Sequence, residues 1–94
     1  MIFDGVVVAT ALPYHDDLSV DYDRYAEHCR WLIDSGCHGV GPNGSLGEYS
    51  SLTDDERRTV ARTAIETVGD DGVVVVGVHA PGSHQAKRWA ELAA

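Results

Sequence analysis

"GPNGSLGEYSSLTDDER", Gly41 to Arg57, decides how this chain is read. Five of its first eight residues are Gly, Pro or Asn, so the backbone there adopts turns that most residues resist. Its second half is a helix start. Thr53 and Glu56 form the capping-box pattern T-x-x-E, and acidic Asp54 and Asp55 occupy the first turn. Upstream, "CHGVG" (Cys37 to Gly41) reads as a short strand. Strand, Gly-rich loop and capped helix in that order make a βα unit.

The loop itself admits several readings. Asn43-Gly44 is a hairpin signal, but a helix start follows it rather than an alternating strand. Asn43-Gly44-Ser45 is an N-x-S sequon, which matters only for a secreted chain. "NGSLG" nearly matches the nucleophile elbow G-x-S-x-G. However, Asn43 takes the place of the first Gly, and the helix starts well after Ser45 instead of immediately. A plain connection and an anion cradle are left. Successive backbone N–H groups in a Gly-rich turn attract anions, and a carboxylate there gains charge-assisted hydrogen bonds.

The same alternation continues outward. "GVVVATAL" (Gly5 to Leu12) reads as a buried strand ended by Pro13. Asp21 is placed to cap a helix running to about Ser35, with Tyr22, Tyr25, Ala26, Cys29, Leu32 and Ile33 on one apolar stripe. Gly36 is placed just past its end. After the loop, a helix runs to about Val68 with Val60, Ala61, Ala64, Ile65 and Val68 inward, and Gly69 stops it. "GVVVVGVHA" reads as a third strand covered on both faces. Ser83 is expected to cap a third helix.

Three strands alternating with three helices predict an α/β fold with parallel pairing through right-handed crossovers. If the strands pair in chain order, all helices fall on one face and the other Val-rich face is bare. The chain also ends inside an amphipathic helix. Both points favour residues 1–94 as the N-terminal fragment of a single (β/α)8 TIM barrel domain, its first three βα units. The rivals are a flavodoxin-like domain that binds a small anion without catalysis, with helices on both sheet faces, and an inactive truncated barrel piece.

Composition narrows the function. The net charge of −8 argues against nucleic acid and anionic membranes as partners, since both require Lys/Arg patches. The longest apolar run, Val73 to Val76, is too short to span a bilayer, and no leader peptide is read at the start, so a cytoplasmic location is expected. Cys29 and Cys37 read as reduced structural thiols. The five histidines show no metal-ligand spacing, so a metal site is not expected. His28, Trp31 and Tyr49 read as structural or packing residues, "DDERR" as a solvated helix start, and Glu48 as a brace for the loop in preference to a general base.

These motifs resemble the N-terminal part of the dihydrodipicolinate synthase / N-acetylneuraminate lyase family. The likeness runs through "GVVVATALPY", "LIDSGCHGV" and "VVVGVHAPGSHQA". It is strongest at "GSLGEYSSLTDDER", against a family pattern of G-[TS]-T-G-E followed by L-T-x-x-E-R. The resemblance implies a class I aldolase-type lyase or dehydratase. Such an enzyme works on pyruvate or a related 2-oxo acid through a lysine imine, as a homo-oligomer, commonly a tetramer, without metal or organic cofactor. It implies that the loop binds the substrate carboxylate through Gly44, Ser45 and Leu46, with Ser45 also catalytic as a proton relay. Gly44 and Gly47 match the glycines that let the backbone approach. Leu46 stands where the family has Thr, so its N–H alone would serve. Leu12 replaces a Thr, and His79 stands where Gly is common, where it could alter substrate choice. The family's imine lysine and relay tyrosine belong to later strands, and Lys87, the single lysine, is expected on an outer helix.

Overall fold

The computed structural model describes residues 5–93, in the order β1 (Val7–Ala9), α1 (Tyr22–Asp34), β2 (Gly39–Gly41), α2 (Asp54–Val68), β3 (Val73–Val74) and α3 (Ser83–Ala93). Single 3₁₀ turns occupy Tyr49–Ser51 and Gly69–Asp71. The first residues, where the sequence reads no leader, lie outside the described part. The strands are parallel in the order β1-β2-β3, with Val8 opposite Val40 and Val40 opposite Val74.

The strands are shorter than the runs in the sequence, because only part of each run lies beside a neighbour. Ladder-like bonds do extend them. His38 N–H donates to the Val6 carbonyl at 2.9 Å, and Thr10 N–H to Gly41 at 3.3 Å. Val75 N–H donates to Val40 at 3.0 Å, and Gly77 N–H to Pro42 at 2.9 Å. Beyond Thr10 the chain turns into the connection to α1, and Leu12 drops into the core instead of continuing the strand.

The helices begin where their caps place them. The Asp21 carboxylate accepts from Arg24 N–H at 3.0 Å. The box at α2 is closed from both sides, Glu56 N–H to Thr53 Oγ1 at 3.2 Å and Thr53 N–H to Glu56 Oε1 at 2.8 Å. Gly36, past the end of α1, has φ 105, a value that L side chains rarely adopt. At α3 the capping expectation needs correcting. Ser83 is the first helical residue, and it is the Gly82 carbonyl that accepts from Ala86 N–H at 3.1 Å.

α1 and α2 pack together on one face of the sheet. Tyr25, Cys29 and Leu32 meet Val60, Ala64 and Val68 around Val40 in one core. α3 adjoins α2, with the Trp89 ring over Arg57. This consecutive order, with neighbouring helices stacked side by side, is the pattern of a barrel segment rather than of a doubly wound sheet. The opposite face is open, as expected for strands paired in chain order: Ala9, Val73 and Val75 are exposed there while Val74 packs on the core.

Two packing expectations fail. Trp31 is 62% exposed, because it lies off the 25/29/32 stripe, and it stacks only on His28 at 6.1 Å. Ile65 is 45% exposed, because the buried stripe of α2 runs through Arg57, Val60, Ala64 and Val68. Both cysteines are free, and burial pushes the Cys29 thiol up. Among the described residues no helix is long and apolar enough to cross a membrane.

Candidate functional site

In a parallel sheet every strand delivers its following connection to the same edge. Here that edge collects the segments after Ala9, Gly41 and Val74. The segment after β2 is the Gly-rich loop. It is coiled by short-range bonds: Gly47 N–H to Gly44 at 3.1 Å, Glu48 N–H to Ser45 at 3.1 Å and Ser51 N–H to Glu48 at 2.9 Å. Asn43 and Glu48 bracket it, with φ of 62 and 57, both left-handed. Asn tolerates that region well and Glu poorly.

At the tip, the N–H groups of Gly44, Ser45 and Leu46 have no hydrogen-bond partner among the described residues. Ser45 is exposed and Leu46 is 66% exposed. Beside the tip lies an open cleft of about 620 Å³, lined among others by Gly41, Gly44, Tyr49, Gly77 and His79. Gly44 thus lines the cleft, whereas Ser45 and Leu46 stand outside its lining.

Beneath the loop lies a buried polar knot. Asn43 is 2% exposed, and its Nδ2 donates to the Arg57 carbonyl at 3.0 Å. Arg57 is 6% exposed. Its guanidinium donates to the carbonyls of His79 at 2.9 Å and Gly77 at 3.2 Å. The Trp89 ring covers it at 4.1 Å and Tyr49 flanks it at 5.4 Å. Burial pulls the Arg57 pKa down, yet a guanidinium stays charged in proteins. Gly77 completes the knot by close approach: a Cβ there would stand 2.3 Å from the Asn43 carbonyl oxygen. One residue on α2 therefore fixes both the base of the loop and the segment after β3.

This corrects the reading of "DDERR" as a solvated helix start. Asp54, Asp55 and Arg58 are exposed, but Arg57 is not. A signal was available, since Arg57 lies three residues before Val60 on the buried stripe. Tyr49 is more than packing: its ring stacks on His79 at 5.0 Å and both line the cleft.

Glu48 is bonded to Tyr14, whose hydroxyl donates to Oε2 at 2.5 Å. Burial first, and then this carboxylate, push the Tyr14 pKa up to about 12. Sequence reasoning missed Tyr14, which sits in a polar connection with no periodicity to mark it. Thr10 is also buried at this edge, its hydroxyl 2.7 Å from that of Tyr25. Lys87 is exposed on α3 and lines none of these features. Among the described residues no group of three His, Cys, Asp or Glu is placed to hold a metal ion.

Comparison with known proteins adds to this geometry. The model of the Dihydrodipicolinate synthetase family matches residues 2–94. An uncharacterized DapA-like lyase of Halobacterium salinarum is 40% identical over 90 residues, covering 96% of this chain and 30% of the relative. A 4-hydroxy-tetrahydrodipicolinate synthase of Heliobacterium modesticaldum is 35% identical over 92 residues, covering 98% and 30%. The crystal structure of dihydrodipicolinate synthase from Aquifex aeolicus superposes with a TM-score of 0.90 at 25% identity, covering 97% of this chain and 31% of that one. N-acetylneuraminate lyase from Mycoplasma synoviae, at 21% identity and a TM-score of 0.89, shares the fold over 97% of this chain and 32% of its own. The chain thus spans about 30% of the length of the curated relatives it matches.

Proposed function

The chain belongs to the dihydrodipicolinate synthetase family, and on that premise we propose that it supplies the carboxylate-binding part of a Schiff-base-forming barrel lyase. Residues 1–94 would be the N-terminal portion, three βα units, of one (β/α)8 domain. The substrate would be pyruvate or a related 2-oxo acid. The reaction would be aldol condensation, cleavage or dehydration, without metal or organic cofactor, in a cytoplasmic homo-oligomer.

The observation that carries this reading is the row of N–H groups at Gly44, Ser45 and Leu46 that have no partner among the described residues, on a tip at the strand-end edge where Ser45 and Leu46 are exposed. A barrel's chemistry takes place at that edge. The carboxylate would accept from the N–H groups of Ser45 and Leu46 and from the Ser45 hydroxyl. A lysine from a further strand would attack the ketone carbon, and the carbonyl oxygen would leave as water. The Ser45 hydroxyl would pass a proton at short range during that exchange. Lys87 lies on α3 and does not line the cleft beside the loop, which supports assigning the attack to a lysine outside residues 1–94.

The test uses the longer polypeptide. Incubation with pyruvate and borohydride is expected to add the mass of a reduced pyruvate imine to one lysine outside residues 1–94. No gain in mass would overturn the reading. Ser45→Ala is expected to lower turnover by about a hundredfold, the lower end of what a positioned proton-transfer group contributes. Unchanged turnover would remove Ser45 from the relay.

A further inference from the structure

We propose that Tyr14 is the positioning residue of the carboxylate loop, acting through Glu48. The inference rests on the function proposed above, because it assigns the device that keeps the Ser45 and Leu46 N–H groups presented. It starts from how firmly Tyr14 is held. The connection from β1 to α1 folds back on itself: Tyr14 bridges Val20 in antiparallel fashion, His15 N–H donates to Ser19 at 2.8 Å, and Asp21 N–H donates to Pro13 at 3.0 Å. The Tyr14 ring packs against the core cluster. Its hydroxyl is therefore a fixed post at the strand-end edge.

Glu48 is the part of the loop that needs holding. It is the left-handed residue that closes the turn, in a region unfavourable to a side chain of its type. Its N–H donates to Ser45 and its carbonyl accepts from Ser51, so its conformation sets where the tip lies relative to the α2 entrance. A phenol donating to a carboxylate is a charge-assisted bond, stronger than a neutral one. It joins residues 34 positions apart, linking two connections that the strand ladder does not join. Loss of the bond frees Glu48 to leave the left-handed region, and the tip then presents its N–H groups only part of the time. Carboxylate binding weakens accordingly, while bound substrate still reaches the lysine.

The test is a double-mutant cycle in the longer protein, read by the pyruvate concentration giving half-maximal borohydride trapping. Tyr14→Phe is expected to raise that concentration about tenfold, the size of one hydrogen bond to a charged group. Labelling at saturating pyruvate and kcat are expected to stay near the parent values. Glu48→Ala should show the same rise, and the double variant no more than either single change. Glu48→Gln, which keeps an acceptor, should fall between, and it carries the test if a harsher variant does not fold. Half-saturation unchanged in Tyr14→Phe, or losses that multiply in the double variant, would overturn the inference and leave the lyase reading intact. A parent protein that traps no pyruvate would overturn both.

Discussion

Arg57 shows how one residue, through its side chain and its main chain, can serve the connections after two strands. Its guanidinium holds the Gly77 and His79 carbonyls in the segment after β3, while its own main-chain carbonyl accepts from Asn43 at the base of the loop after β2. Arg57→Ala leaves those carbonyls without their donors and uncovers Trp89. A loss of about 2–4 kcal/mol is expected, measurable by urea unfolding. Arg57→Lys should recover only part of it, since an ammonium cannot reproduce the planar fork. A loss below about 0.5 kcal/mol for Arg57→Ala, the range of ordinary surface changes, would contradict the buried knot. Tyr14 makes a second prediction at this scale. Its folded pKa lies above the ordinary 10.0, at about 12, so the folded state keeps a proton that the unfolded state gives up. By linkage its contribution to stability is complete below pH 10.0 and is lost as the pH climbs from there to about 12. Tyr14→Phe should flatten that part of the stability profile. An identical profile in the variant would contradict a Tyr14 pKa raised by burial and by the Glu48 carboxylate.

Elements were legible where a local rule suffices. The Thr53/Glu56 box closes as its spacing demands, and Asp21 caps α1 through its own carboxylate. Thr53→Ala should cost about 1 kcal/mol by thermal or urea unfolding. A wild-type-like midpoint would mean that the loop, not the box, fixes the start of α2. What the sequence obscured depends on tertiary neighbours. An arginine beside a run of acids looks solvated until the depth of the helix face is known, and only the 57/60/64/68 spacing reveals it. Tyr14 has no periodic partner, so its bond across 34 residues was invisible. Strand lengths were overestimated because apolar runs persist past the residues that have a pairing neighbour. Gly77 belongs to the same class, since its need for a missing Cβ comes from Asn43, far away in sequence. Gly77→Ala should destabilise the fold more than alanine at half-buried Gly44, where nothing lies within 4 Å of an added Cβ. Equal effects would show that the backbone yields easily there.

At the scale of the whole molecule, one sheet face is clothed by helices and the other is not. Val73 at 36% exposure and Val75 at 49% mark the open side. Residues 1–94 prepared alone are expected to self-associate in sedimentation experiments despite the net charge of −8, because a Val-rich surface seeks cover. The longer polypeptide should behave as one defined species. A monodisperse, cooperatively unfolding 94-residue monomer would contradict the proposal that the remaining barrel strands cover this face.

The order β1-β2-β3 bears on synthesis as well as architecture. Among the three strands described, each new strand is laid against the one completed just before it, and in the proposed barrel only β1 still awaits a second partner, from the far end of the chain. Pairing between neighbouring strands in the sequence keeps each crossover shorter than pairing with a distant strand would, which lowers the cost of loop closure. A nascent chain leaving the ribosome can therefore add one strand and one helix at a time, with the last strand added as a template for the next.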